Sequence, residues 1–356
     1  MRAYERFLNY AKVNTESAEG TGKSPSTDCQ WDLAKLLVEE LKTMGMEDAK
    51  VSEFGVVTAV LPATPGCEAA PALGFLAHMD TAPAFSGAGV VPIVHENYDG
   101  GDVVLPKEGR VIRLADFPEM ATLKGRTLIT ADGSTLLGAD DKAGVAEVMT
   151  LCEELITSGA PHGKLCVAFT PDEEIGEGSN HFDVPAFGAK YAYTVDGSKE
   201  GGIEYENFNA ASAKVEITGV SVHPGEAKDA MENALLIAME LNAKLPPEEI
   251  PARTEGYQGF FHLDEMNGTV AFAKMDYIIR DHDMERFTQR KALMEQVVQE
   301  VQAAHPKAKL ELTLRDSYYN MVGQLKDCMH LVENAREAAR MAGVEPSTTA
   351  IRGGTD

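Results

Sequence analysis

The stretch LysLeuCysValAlaPheThrProAspGluGlu (164–174) decides the fold. Its first seven residues are nearly all apolar, without the alternation of a strand that is wet on one face, and the run is shorter than an ordinary helix, so it reads as a strand buried on both sides. Proline ends the strand and three acids follow directly. Burying several negative charges at such a place is costly unless something compensates them; a cation does so readily, and a solvated acidic turn is the plainer alternative.

Working outward, AlaLeuGlyPheLeuAla (72–77) is a second buried strand running into His78, and TyrAlaTyrThrValAsp (191–196) is a further near-continuous apolar strand, ending at Asp196. A further β-rich run covers 51–60, and ThrLeuIleThr (127–130) precedes LeuLeuGlyAlaAspAspLys (136–142), which leads into a helix-periodic segment from about 143 to 155. Residues 27–44 repeat apolar positions at helical spacing (Leu33, Leu36, Leu37, Leu41), with Gly45 as the stop. Strands alternating with helices predict an α/β fold with a mostly parallel sheet, which places chemistry at the carboxyl ends of its strands. His78, Asp140, Glu173, Glu174 and Asp196 fall at such ends.

From about residue 207 the order changes to strand (211–218), helix (229–244), strands (268–275 and 277–281), helix (284–304) and strand (308–314). That βαββαβ order predicts an inserted ferredoxin-like α+β lid over 207–319, leaving 1–206 and 320–356 for the first domain. A length of 356 residues suits two domains. No stretch approaches the roughly 20 apolar residues that span a bilayer. Charged side chains interrupt the opening residues, which excludes the apolar core of an export signal. The five cysteines are scattered and never in a CxxC pair, which predicts reduced thiols in a cytosol rather than a disulfide framework or a thiolate metal site. A net charge of −24 repels nucleic acid and anionic membrane surfaces.

The segment HisMetAsp (78–80) sets two side chains on one face of an extended chain, so Asp80 can orient His78 as carboxylates orient metal-bound imidazoles. Taken alone, the pattern also fits an ordinary histidine near a strand end. Asp140 and Asp141 stand at a helix start, where acids cap the helix as well as bind cations. Together, one histidine and at least three acids at parallel strand ends form an oxygen and nitrogen donor set, suited to zinc, cobalt or manganese.

The segments GlyPheLeuAlaHisMetAspThr, LeuLeuGlyAlaAspAspLysAlaGly, AlaPheThrProAspGluGluIleGlyGluGly, TyrThrValAspGly, GluAsnPheAsnAlaAla, ValHisProGly, GluGlyTyr, TyrIleIleArgAsp, AspSerTyrTyrAsnMet and IleArgGlyGlyThrAsp stand in one order along the chain. This series resembles the peptidase T family, within the di-zinc aminopeptidase and carboxypeptidase superfamily, over the whole sequence. The resemblance implies a cytoplasmic, homodimeric aminopeptidase that releases the N-terminal residue of tripeptides and holds two Zn2+, with Co2+ or Mn2+ as substitutes. It implies that His78 and Asp196 hold one ion, Glu174 the other, and Asp140 both. Asp80 orients His78, and Glu173 is the general base. His223, acting from a partner subunit as oxyanion donor, and Arg280, binding a substrate carboxylate, are implied as substrate-binding residues, with Asn320 and Arg352 as further candidates.

The resemblance also places a final histidine ligand beyond residue 356. On that expectation the 356-residue chain is a truncated form, binding its second metal weakly and turning over poorly. The rival readings are a dipeptidase, carboxypeptidase or N-acyl amino acid amidohydrolase on the same scaffold, and a non-catalytic metal-binding protein.

Overall fold

The computed structural model describes residues 1–197 and 199–354, and the chain divides between residues 198 and 199 into two compact units. Thr355 and Asp356, at the end of the last sequence motif, lie outside the described residues.

The first unit opens with helices α1 (Ala3–Tyr10) and α2 (Gln30–Thr43), then strands β1 (Lys50–Val51), β2 (Val57–Leu61) and β3 (Leu73–His78). Two short ribbons follow, in which β4 (Ile93–His95) pairs with β7 (Leu128–Thr130) and β5 (Val103–Val104) with β6 (Val111–Ile112). Helix α3 (Ala139–Ser158), strand β8 (Leu165–Thr170), the single turn α4 (Val184–Phe187) and strand β9 (Tyr191–Thr194) complete the unit.

The main sheet has the order β1-β2-β8-β3-β9. It is parallel through β8, β3 and β9 and antiparallel where β1 and β2 are added. The β-rich run at 51–60 is therefore a hairpin, not one strand: Gly55 takes φ +79° and Ser52 N–H donates to the Val56 carbonyl at 2.8 Å.

Every residue of β8 is buried, and its alternate side chains serve two cores. Leu165, Val167 and Phe169 pack with Leu33, Leu37, Val145 and Met149 from α2 and α3, whereas Cys166 and Ala168 pack with Phe187. Coverage of both faces explains the unbroken apolar run. In register His78 of β3 lies beside Thr170 of β8, and Leu76 beside Thr194 of β9, so the three strands end on one edge.

In the second unit β10 (Asn209–Thr218), α5 (Ala234–Lys244), β11 (Phe260–Gly268), β12 (Phe272–Asp281), α6 (Met284–Ala304) and β13 (Lys309–Tyr318) give an antiparallel sheet of order β11-β12-β10-β13. One face of that sheet (Ala213, Val215, Ile217, Met275, Tyr277, Ile279) packs on Ile237 and Leu241 of α5 and Phe287, Met294 and Val301 of α6. The element order is the expected βαββαβ, but the middle strands differ from the expectation. Residues 272–275 of the first run and all of 277–281 belong to one strand, because the period-two pattern Ala273, Met275, Tyr277, Ile279 continues through Asp276 on the wet face, while Gly268 ends the preceding strand. Its hairpin partner is 260–268, whose exposed acidic half hid it.

Outside these elements, residues 201–208 and 347–353 run beside each other: Ile203 N–H donates to Ser347 O at 2.9 Å and Ile351 N–H to Glu206 O at 2.8 Å. Helices α7 (Val322–Leu325) and α8 (His330–Met341) precede that second segment. Among the described residues no helix is long and apolar enough to cross a membrane.

Candidate metal centre

His78, the last residue of β3, is 1% exposed. Its Nε2 lies 2.9 Å from Asp140 Oδ1, 3.9 Å from Glu173 Oε2 and 4.0 Å from Asp196 Oδ2. Its Nδ1 lies 3.3 Å from Asp80 Oδ1, a close charge contact rather than an aligned hydrogen bond, since Nδ1 has no such partner. Asp80 is fully buried and accepts the backbone N–H groups of Glu173 at 3.0 Å and Glu174 at 3.1 Å. One carboxylate thus touches the imidazole and latches the turn that carries both glutamates.

The start of α3 brings in two more acids. Asp140 points at His78, while Asp141 is buried and accepts from His78 N at 3.1 Å and Gly144 N at 3.2 Å. That packing needs a glycine at 144, where a Cβ would lie 1.9 Å from the Val195 carbonyl oxygen and 2.5 Å from Asp141 Oδ1. Lys142, fully buried, donates from Nζ to Val13 O at 2.8 Å; burial pushes its pKa down to about 8, against the pull of Cys29 and Asp80.

The electrostatics follow from crowding. Burial alone disfavours a charged His78, but Asp140 and Asp80, then the charge of Asp141, outweigh it and hold its pKa up at about 12. His78 in turn lowers the pKa of Asp140. Burial first, then repulsion from Asp196 and Asp140, pushes Asp141 up to about 9. Burial and the charges of Asp140, Asp80 and Asp196 raise Glu174.

A single imidazolium cannot neutralise so many carboxylates, and the surplus negative charge is what divalent cations would offset. Two donor sets have ligand atoms within 4.8 Å of one another: His78 with Asp141 and Asp196, and His78 with Asp140 and Glu174. Nitrogen and oxygen donors without thiolate fit zinc, cobalt or manganese. Because both oxygens of Asp141 already accept backbone N–H groups, Asp140 is the better placed of the two to offer oxygens to cations.

The structure therefore brings together His78, Asp80, Asp140, Glu173, Glu174 and Asp196. The remaining candidates belong to the second unit. His223 is exposed and its Nδ1 accepts from Gly225 N at 3.1 Å. Arg280 on β12 donates to Ile279 O at 3.0 Å and stacks over Tyr318. The Asn320 side chain accepts from Val322 N at 3.0 Å and donates to His282 O at 3.1 Å. Arg352 donates to Gly256 O, Gln258 O and Thr254 Oγ1 and lies over the rings of Phe208 and Phe260.

Curated relatives match nearly the whole chain. A peptidase T of Geobacillus kaustophilus is 52% identical over 354 residues, which is 99% of this chain and 86% of that protein. A peptidase T of Halothermothrix orenii is 49% identical over 357 residues, covering 100% of this chain and 87% of its own length. This chain belongs to the peptidase T family. Membership makes it a hydrolase of the metallopeptidase class. A family described as a peptidase dimerisation domain matches residues 205–309, the region of the βαββαβ elements.

Solved structures agree with the fold. The aminopeptidase PepT from Bacillus cereus aligns with 99% of this chain and 85% of its own, at TM-score 0.75 and 22% identity. A dinuclear metal-binding peptidase of the M20 family from Bacillus subtilis covers 99% of this chain and 83% of its own, at TM-score 0.59 and 13% identity.

Sequence reasoning gave no particular ligand, base or bracing role to two buried acids at this sheet edge. Asp141 was visible only as the neighbour of Asp140. Asp172 was one of three acids in a row, and the donors that surround it come from residues 24–30, more than a hundred positions away in the chain.

Proposed function

We propose that this chain is a zinc-dependent aminopeptidase that removes the N-terminal residue of tripeptides. The observation that carries the reading is a buried imidazole whose Nε2 faces Asp140, Glu173 and Asp196 within 4.0 Å, beside a turn that presents two adjacent glutamates. His78 and Asp196 would hold one ion, Glu174 the other and Asp140 both, with Co2+ or Mn2+ able to replace zinc. Bound there, the cations supply Lewis acidity toward a water molecule and toward the scissile carbonyl. Glu173 takes the proton of the attacking water and passes it to the leaving amine nitrogen. Asp80 fixes the ring of His78 and the backbone of both glutamates, which lets one carboxylate bind while its neighbour moves protons.

The second unit would supply substrate contacts. With Nδ1 accepting from Gly225, a neutral His223 carries its proton on Nε2, where it donates to the developing oxyanion. Arg280 offers a fork to the substrate's terminal carboxylate. Asn320 and Arg352, whose polar groups are engaged within their own unit, would hold the segments around it in shape. The dimerisation match supports a homodimer; in it His223 would serve the partner subunit's site. The free cysteines at 29, 67, 152, 166 and 328 suit the reducing cytosol.

The test is to incubate the purified chain with zinc or cobalt and a free tripeptide, its N-acetylated form and a dipeptide. Release of the N-terminal residue from the free tripeptide alone, abolished by a chelator, is the expected result. Cleavage of the acetylated peptide, loss of the C-terminal residue first, or a preference for the dipeptide would each replace the reading with one of its rivals. Cobalt binding without any hydrolysis would leave a metal-binding protein.

A further inference from the structure

The turn that presents Glu173 is held from two directions. Asp80 takes the N–H groups of residues 173 and 174. On the other flank stands Asp172, fully buried and in the left-handed region at φ 62°, ψ 22°, a conformation that a short acidic side chain tolerates better than most. Its Oδ1 accepts from Ser26 Oγ at 2.5 Å, Gln30 Nε2 at 2.7 Å and Ser26 N at 3.0 Å. Its Oδ2 accepts from Ser26 N at 2.8 Å and Ser24 Oγ at 3.4 Å. Its carbonyl accepts from Glu177 N at 2.9 Å. Ser26 and Gln30 are themselves buried and lead into α2.

We propose that Asp172 is a positioning residue for Glu173. The inference rests on the reading of Glu173 as general base. A carboxylate at 172 ties the start of α2 to the catalytic turn through several convergent donors, and the left-handed backbone aims the next two N–H groups back at Asp80. With residue 172 pinned by its side chain and residues 173 and 174 by their amides, Glu173 keeps only its own side-chain torsions. Misplacing a catalytic group by about 1 Å can cost on the order of a hundredfold in rate, so the anchor has kinetic consequences.

Asp172→Asn preserves size and suits the left-handed backbone, but it sets an amide N–H2 against the donors of Ser26. The zinc-loaded variant is expected to lose about ten- to a hundredfold in kcat with KM within about twofold. Ser26→Ala and Gln30→Ala, which each remove one donor, should lose about threefold and serve if Asp172→Asn does not fold. In a Glu173→Gln background Asp172→Asn should change kcat less than about twofold, because the anchor acts through the missing carboxylate. Amide exchange in the metal-free protein should quicken at residues 172–177 and not in β8. Parental kcat in all three variants, or an equal loss with and without Glu173, would overturn the proposal. Glu173→Gln at parental kcat would remove the general-base reading itself, and the positioning role with it; an inactive Glu173→Gln beside a fully active Asp172→Asn removes the positioning role alone.

Discussion

Two acidic segments meet at the same sheet edge, Asp140–Asp141 at the start of α3 and Asp172–Glu174 after β8, and each divides its labour. In both, one carboxylate is buried and spent on hydrogen bonds (Asp141 on His78 N and Gly144 N, Asp172 on Ser26 and Gln30), while its neighbours belong to the donor cluster around His78. They differ in where the spent acid reaches. Asp141 closes the cluster on itself by gripping the strand that ends in His78, whereas Asp172 reaches outward to α2. Adjacent acids of one chemistry thus become braces, or stay free for the ligand and base roles proposed above, according to which backbone donors face them, and the brace that reaches inward holds the cluster around His78 itself.

The sharpest way to break that division is Glu173→Gln, which should lower kcat about 10²–10⁴-fold with the melting temperature almost unchanged. A large loss of melting temperature would mean that Glu173 braces as well as acts. Next in size, Asp80→Asn should weaken cobalt affinity about ten- to a hundredfold, read by spectroscopic titration, because the imidazole loses its orienting carboxylate. Asp141→Ala should cost about 1–3 kcal/mol of unfolding free energy for each of the two buried N–H groups left without an acceptor, measured by denaturant titration of the metal-free protein. A neutral result would show that Asp141 is not a brace.

The smallest effect comes from a contrasting acid cluster in the second unit. His305 lies between Glu232, 2.8 Å from its Nδ1, and Glu240, 2.9 Å from its Nε2. Hydrogen bonding to Glu240, against some burial, and then to Glu232 raises its pKa. Because the folded value is the higher one, its stabilisation is complete below the ordinary histidine value of about 6.5 and fades as pH rises through the raised value. The melting-temperature gap between the parent and His305→Gln should therefore be wider at pH 6 than at pH 9. An equal gap at both would show that packing, not charge, holds this pair of carboxylates.

Much of this was legible in the residues. Apolar strands leading to His78, Glu173 and Asp196 marked the centre; β8, covered on both faces, leaves no polar position until its end, whereas β9 is half-exposed, with Ala192 and Thr194 facing water. The βαββαβ order of the second unit was readable from its periodicities, although the hairpin at 260–281 was misplaced. There a single polar residue on a wet face looked like a break, and the edge strand's acids looked like a loop. The braces were not legible, since no spacing rule links Asp172 to Ser26 or Asp80 to the amides of 173 and 174; those pairings exist only once the sheet has formed.

His78, Asp80, Asp140, Glu173, Glu174 and Asp196 all belong to the unit that ends at residue 198. At synthesis rates of roughly 5–20 residues per second, every one of these side chains has been made several seconds before the last strand of the βαββαβ unit leaves the ribosome. A nascent chain therefore presents these donor side chains while the elements proposed to grip the peptide are still being translated.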